Sequence, residues 1–332
     1  MKKHYIARKY KKKQIPFNDK MGHIRIDLCS DYEEILEGYM GTFVKTRKSR
    51  DDAVLDFFRL QRRLIEQKPR KILKAKDLTC PAGYEEKLAY LERCIVQGKN
   101  LLPFMSKGIR NLQNEDLLLY DWGIYHFHIS NEKDKQDPVF VERSDYLLMV
   151  YVESDTIYFL DIVPHRRTDV VVWADTRYLD IVKENWPHLF DRYVMNECTP
   201  MQVFNDKETY DLRKSGVSII SKWGERGAIF SPGGGYASDT TSVRAVQSRD
   251  YWMNQVSDLE RVWVEYFGKD VLLSIQNAPT CEDIDFIDIK MISCTDSGYM
   301  FIEKQTKLLF FVKKENNMWM IECVSNRISR GE

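Results

Sequence analysis

The sequence predicts an α+β fold with three parts: a basic, mainly helical N-terminal region (1–115), a central antiparallel sheet (116–180) and an acidic α+β C-terminal region (181–332). Three observations lead there. Apolar residues recur at helical spacing through the first part. Near residue 121 the period shortens, and aromatic and β-branched residues crowd together. The strand-like runs then succeed one another with no helix between them, which favours antiparallel pairing over a βαβ plan.

Composition bounds the possibilities. A chain of 332 residues is long for one minimal domain, and 43% hydrophobic with 30% charged residues is a globular composition. No apolar run approaches the roughly 20 residues that cross a bilayer. The opening "MKKHYIARKYKKKQ" lacks the apolar core of a secretory signal. Seven cysteines, an odd number with no C-x-x-C spacing, argue for a reducing compartment and against a disulfide framework or a cysteine zinc site. A cytoplasmic protein with no membrane partner is expected. The formal charge is zero, yet residues 1–110 hold 26 Lys+Arg against 14 Asp+Glu, and the remainder reverses the excess. Seven basic residues among the first thirteen suggest an arm that meets a polyanion, or else a solvated tail docking on the chain's own acidic half.

The elements follow in order. Ser49 is a candidate cap for a helix that stripes Val54, Leu55, Phe58 and Leu64 as far as Lys68-Pro69. A second helix spans 85–97, with Leu88, Leu91 and Ile95 on one face, and a short one is expected over 101–113. Strands are expected at 122–129, 146–152 and 156–163; the last two form a hairpin around a turn at 153–155, and the three make a meander. A helix runs from 176 to 195. "SPGGGYASDTTS" (231–242) is the strongest loop signal, and it leads into a long helix carrying Trp252, Val256, Leu259, Trp263 and Phe267. The tail reads as strands at 271–275, 284–293, 299–303, 307–313 and 318–324.

The first strand of the meander, "GIYHFHIS", carries the chemistry. Residues i and i+2 of a strand share a face, so His126 and His128 stand side by side, about 6.6–6.8 Å apart along it. His165 ends the third strand, ahead of Arg166 and Arg167, and the topology can bring it to the same rim. Two chemistries fit three histidines. One is zinc, with His126, His128 and His165 as ligands and Asp121, Asp145 or Asp161 as a fourth or supporting group. The other is metal-free cleavage of RNA, with one imidazole as base and another as acid. Arg143, Arg166 and Lys107 would then stabilise charge on the phosphorane. The glycines around Gly234 could cradle a phosphate at a helix start, although the loop has no P-loop lysine.

"LLLYDWGIYHFHIS" (117–130) and "RSDYLLMVYVESDTIYFLDIVPHRRTDVVV" (143–172) resemble the sheet of RelE/ParE-type toxins, a metal-independent ribonuclease fold. The resemblance is confined to these segments, and it sets His126 and His128 where that family has arginines. It matches His165 to the family's terminal His-Arg. It implies an endoribonuclease of toxin or phage-defence type that needs no cofactor. RNA, including ribosome-bound mRNA, would be the substrate, and an antitoxin or regulatory protein the partner. A zinc hydrolase and a non-catalytic RNA- or ribosome-binding module are the alternatives.

Overall fold

The computed structural model describes residues 13–16, 23–48, 52–165, 171–225, 227–276, 286–316 and 318–324. The chain is an α+β protein. It divides into two compact units: one gathers the described residues up to Phe43, those of 49–57 and those from Ser248 onward, and the other gathers those of Val44–Lys48 and Phe58–Gln247. The units are not consecutive stretches, unlike the division at 115 and 180 that periodicity suggests. The reason is strand pairing across most of the chain.

β1 (Lys13–Pro16) and β2 (His23–Ile26) pair antiparallel ahead of α1 (Leu28–Met40). Asp27 caps α1, its carboxylate accepting the Ser30 N–H, and Leu28, Tyr32, Leu36 and Met40 repeat at four-residue steps on the buried face. α2 (Ala53–Arg63) is capped by Asp52, which accepts the Leu55 N–H at 2.8 Å. The expected cap, Ser49, lies outside the described residues. β3 (Lys71–Lys74) and α3 (Glu85–Val96) follow. Two short 3-10 turns, Leu102–Phe104 and Lys107–Arg110, stand where one helix is expected, because the backbone is extended at Met105 and at Ser106, which caps the second turn through the Gly108 N–H.

α4 (Leu117–Trp122) takes the first residue of the expected strand, and Gly123, in the left-handed region at φ +76°, ends it. β4 (Ile124–His128), β5 (Tyr146–Val152) and β6 (Thr156–Pro164) form the antiparallel meander. β3 adds a fourth, parallel strand against β6, giving the order β3-β6-β5-β4. α5 (Arg177–Asn185) stops ten residues short of the expected 195 because Pro187 follows. β7 (Val194–Asn196), α6 (Asp206–Lys214), β8 (Ile220–Lys222) and β9 (Gly227–Phe230) complete this unit, the three strands in the order β7-β9-β8. One core cluster here joins Ile124, Leu147, Met149 and Leu160 of the meander to Tyr178 and Val182 of α5.

α7 (Val243–Val262) continues through a π-helical turn, Trp263–Phe267, into α8 (Gly268–Gln276). The expected strand at 271–275 is therefore helical. Val271 and Ile275 are buried at a four-residue step, and a short apolar run does not distinguish a strand from a buried helix. β10 (Phe286–Thr295), β11 (Gly298–Glu303), β12 (Leu309–Glu315) and β13 (Met318–Cys323) finish a sheet of order β1-β2-β10-β11-β12-β13. Trp263 is fully buried, and its ring lies 5.0 Å from Phe301 and 5.9 Å from Phe310. That edge-on aromatic cluster anchors the helix to the sheet.

Candidate functional site

Alternation along β4 puts Ile124, His126 and His128 on one face, opposite Tyr151, Met149 and Leu147 of β5. This is the face that the core cluster covers, so the histidine pair does not lie on an open surface.

His126 lies at the edge of that cover. Its ring meets Trp173 edge-on at 4.9 Å. Nδ1 has no hydrogen-bond partner, and the nearest carboxylate oxygen, on Asp116, is 3.9 Å away. Burial pushes the His126 pKa below the ordinary histidine value, and Asp116 opposes the shift in part. The imidazole is neutral at pH 7. It lines a cavity of about 280 Å³ together with Asp116, Trp173 and Lys214. Asp116 is held there because its other carboxylate oxygen caps α4 through the Leu119 N–H.

His128 is only 4% exposed, with its ring 5.2 Å from that of His165. Burial, then His126, His165, Arg143 and Lys107, push its pKa down to about 3. It is not among the residues of the cavity. His165 follows β6, with its backbone N–H donating to the Asp145 carbonyl at 2.6 Å. His128 thus neighbours both His126 on the strand face and the His165 ring, but His126 alone of the three borders the cavity.

The expected phosphate ligands scatter. Arg143 is exposed. Lys107 is paired with Asp134, which that bond holds well below the usual carboxylate range, at about 2. Arg166 lies outside the described residues. Gly234 is a correction: the N–H groups of Gly233, Gly234 and Gly235 donate to the carbonyls of Asp121, Ser231 and Tyr120, so no anion nest is open there. The loop fastens the end of α4 instead.

Sequence reasoning missed the ion pair beneath the site. Asp121, weighed above as a metal ligand, takes the Arg213 guanidinium at 2.8–2.9 Å and the Ser231 hydroxyl at 2.7 Å, and both charged side chains are 1% exposed. Arg213 also lies over the Trp122 ring at 4.0 Å and donates to the Trp173 carbonyl. It thereby fixes the tryptophan that faces His126. Only distant pairing could have shown this, since Asp121 and Arg213 carry no motif.

Among the described residues, no three His, Cys, Asp or Glu side chains stand together as a metal ion requires. No helix among them is long and apolar enough to cross a membrane. Comparison with protein-family models, curated proteins and solved structures finds no match to the chain.

Proposed function

We propose that the chain is a metal-independent endoribonuclease in which His126 is the general base. The observation that carries this reading is the neutral imidazole at the wall of a cavity, with Asp116 behind it at 3.9 Å. A neutral imidazole takes the proton of an RNA 2′-hydroxyl as that oxygen attacks the adjacent phosphorus. The 2′-O–P bond forms, the P–O5′ bond breaks, the departing oxygen takes a proton from water, and His126 later returns its own proton to solvent. Asp116 favours the imidazolium that results. Lys214, an exposed cavity residue with no ion-pair partner among the described residues, supplies positive charge for the phosphorane. His128 is neutral across the working pH range and is better suited to supporting His126 than to acting as the acid. A toxin or phage-defence role, ribosome-bound mRNA as substrate and an antitoxin partner rest on the RelE/ParE-type resemblance alone.

The test is cleavage of end-labelled RNA by the full chain in chelator. His126→Ala should lose roughly 10²–10⁴-fold in rate while keeping its melting temperature. Full cleavage by a folded His126→Ala protein would end this reading. Near-equimolar zinc that is lost in the same variant would promote the zinc hydrolase instead. A non-catalytic RNA-binding module is the second reading, favoured by the depressed pKa of His128, the neighbour of His126 on the strand face. Wild-type protein that binds RNA without cutting it would select that reading.

A further inference from the structure

We propose that the free edge of β3 and the adjoining face of α3 form a groove that takes an extended acidic peptide as an added strand, a binding function separate from any chemistry at His126. β3 is the outer strand of its sheet, in the order β3-β6-β5-β4. Its parallel ladder uses alternate residues. The Lys71 N–H donates to the Asp155 carbonyl at 2.8 Å, and the Ala75 N–H donates to the Phe159 carbonyl at 3.0 Å. The N–H and carbonyl groups of Ile72 and Lys74 therefore point away from the sheet, and no backbone among the described residues pairs with them. Upstream the edge is closed, because Arg70 gives its N–H to the Ile95 carbonyl of α3. A row of unpaired donors and acceptors on an outer strand is a template for another strand.

The helix beside this edge supplies the rest of the groove. Ala89, Glu92, Arg93 and Val96 fall on one face of α3, and with Ile72 and Lys74 they line an open space of about 570 Å³. Ile72, Ala89 and Val96 give it an apolar lining, in which Val96 is 57% exposed. The ion pair of Lys74 with Glu92, at 2.8 Å, ties strand to helix. Charge identifies the occupant. Residues 68–76 hold five basic side chains and no acidic one. Lys71, Lys76 and Arg93 are exposed, with no ion-pair partner among the described residues. A second copy of β3 laid on this edge would set lysine against lysine, and like charges across a strand pair repel. An acidic strand meets the same lysines with opposite charge. Side chains alternate along a strand, so apolar residues at every second position enter the groove, and the acidic ones between them turn to Lys71 on the other face. A nucleic acid also answers the charge, but it cannot continue a β-ladder. The free backbone row and the apolar lining favour a peptide.

Fluorescence anisotropy of the full chain with a labelled octapeptide of alternating glutamate and valine tests this. A block octapeptide, glutamates first and valines after, carries the same charge without the alternation. It should bind roughly tenfold more weakly, the worth of about one buried valine. Backbone N-methylation separates strand addition from plain attraction and needs no variant. Methylating the valines removes the donors of an antiparallel strand, and methylating the glutamates removes those of a parallel one. One of the two should lose roughly thirtyfold, for two bonds to the Ile72 and Lys74 carbonyls, and the other should keep its affinity. Val96→Ser should weaken the alternating peptide several-fold at unchanged melting temperature, since the side chain it trims is exposed. No binding of the alternating peptide, or equal affinity for the alternating, block and N-methylated peptides, would overturn the groove. A single-stranded oligonucleotide of equal charge that displaces the peptide and binds more tightly would overturn it in favour of nucleic acid.

Discussion

At the scale of the residue, the two strand histidines show how one environment serves two roles. Their shared face was legible from i, i+2 spacing. What covers that face was not, because Trp173 and α5 come from later in the chain and leave no local trace at residues 126–128. The cover has a measurable consequence. His128 keeps its proton off down to about pH 3 in the folded state, whereas an unfolded histidine takes one near pH 6.5. Between those values the unfolded chain binds the extra proton, so stability falls as pH drops through that window and is fully present above it. The slope is about 1.4 kcal/mol per pH unit for one such histidine. Melting temperature followed from pH 7.5 to 4.5 should therefore decline, and His128→Leu should decline less steeply by about one proton's worth. Identical slopes in the two proteins would show that His128 is not the group responsible. His126, shifted in the same direction, adds to the wild-type slope and remains in the variant.

At the scale of the element, local pattern revealed type better than position. The hairpin of β5 and β6 stands where the aromatic and β-branched runs and the turn at 153–155 put it. β3 was not visible, since four residues of "KILK" carry too little periodicity and owe their strand form to β6. The glycine-rich loop was legible as a loop and misread as an anion nest. A helix end leaves carbonyls without partners, and α4 satisfies two of its own with the N–H groups of Gly233 and Gly235. The close approach is specific to one glycine. A Cβ on Gly233 would stand 2.2 Å from the Leu119 carbonyl oxygen, whereas one on Gly235 meets nothing nearer than 3.7 Å. Gly235, at φ +82°, carries only the backbone cost of a left-handed residue. Urea denaturation should show Gly235→Ala losing about 1–2 kcal/mol. Gly233→Ala should instead lose about 1–3 kcal/mol by overpacking and should also lower RNA cleavage, because the displaced α4 carries Asp116's cap. Gly233→Ala with wild-type stability and rate would mean the loop does not fasten the site. The ion pair nearby gives a second handle: Asp121→Ala leaves Arg213 buried without its counter-charge and should cost about 3–5 kcal/mol.

At the scale of the whole molecule, the α+β class was legible and the division of the chain was not. β2 lies parallel to β10, so one sheet takes strands from both ends of the sequence. No periodicity records such a pairing. The charge split along the sequence likewise does not follow the two units, since the unit that holds His126 begins its main run at Phe58. Ahead of β1 the sequence carries a basic arm. Residues 1–12 lie outside the described residues, and they hold six basic side chains and no acidic one. If this arm meets RNA, each phosphate it neutralises adds about 0.7 to the slope of log affinity against log salt for a single strand. Deleting residues 1–12 should then flatten that slope by up to about 4 and weaken binding most at low salt. The rate at saturating RNA should not change, because His126, Asp116 and Lys214 are untouched. Fluorescence anisotropy with a labelled RNA across a salt series reads the first effect, and single-turnover cleavage reads the second. A slope unchanged by the deletion would assign the lysines to a solvated tail. A fall in the saturating rate with no change in slope would instead place the arm's contribution in the folded protein rather than on RNA.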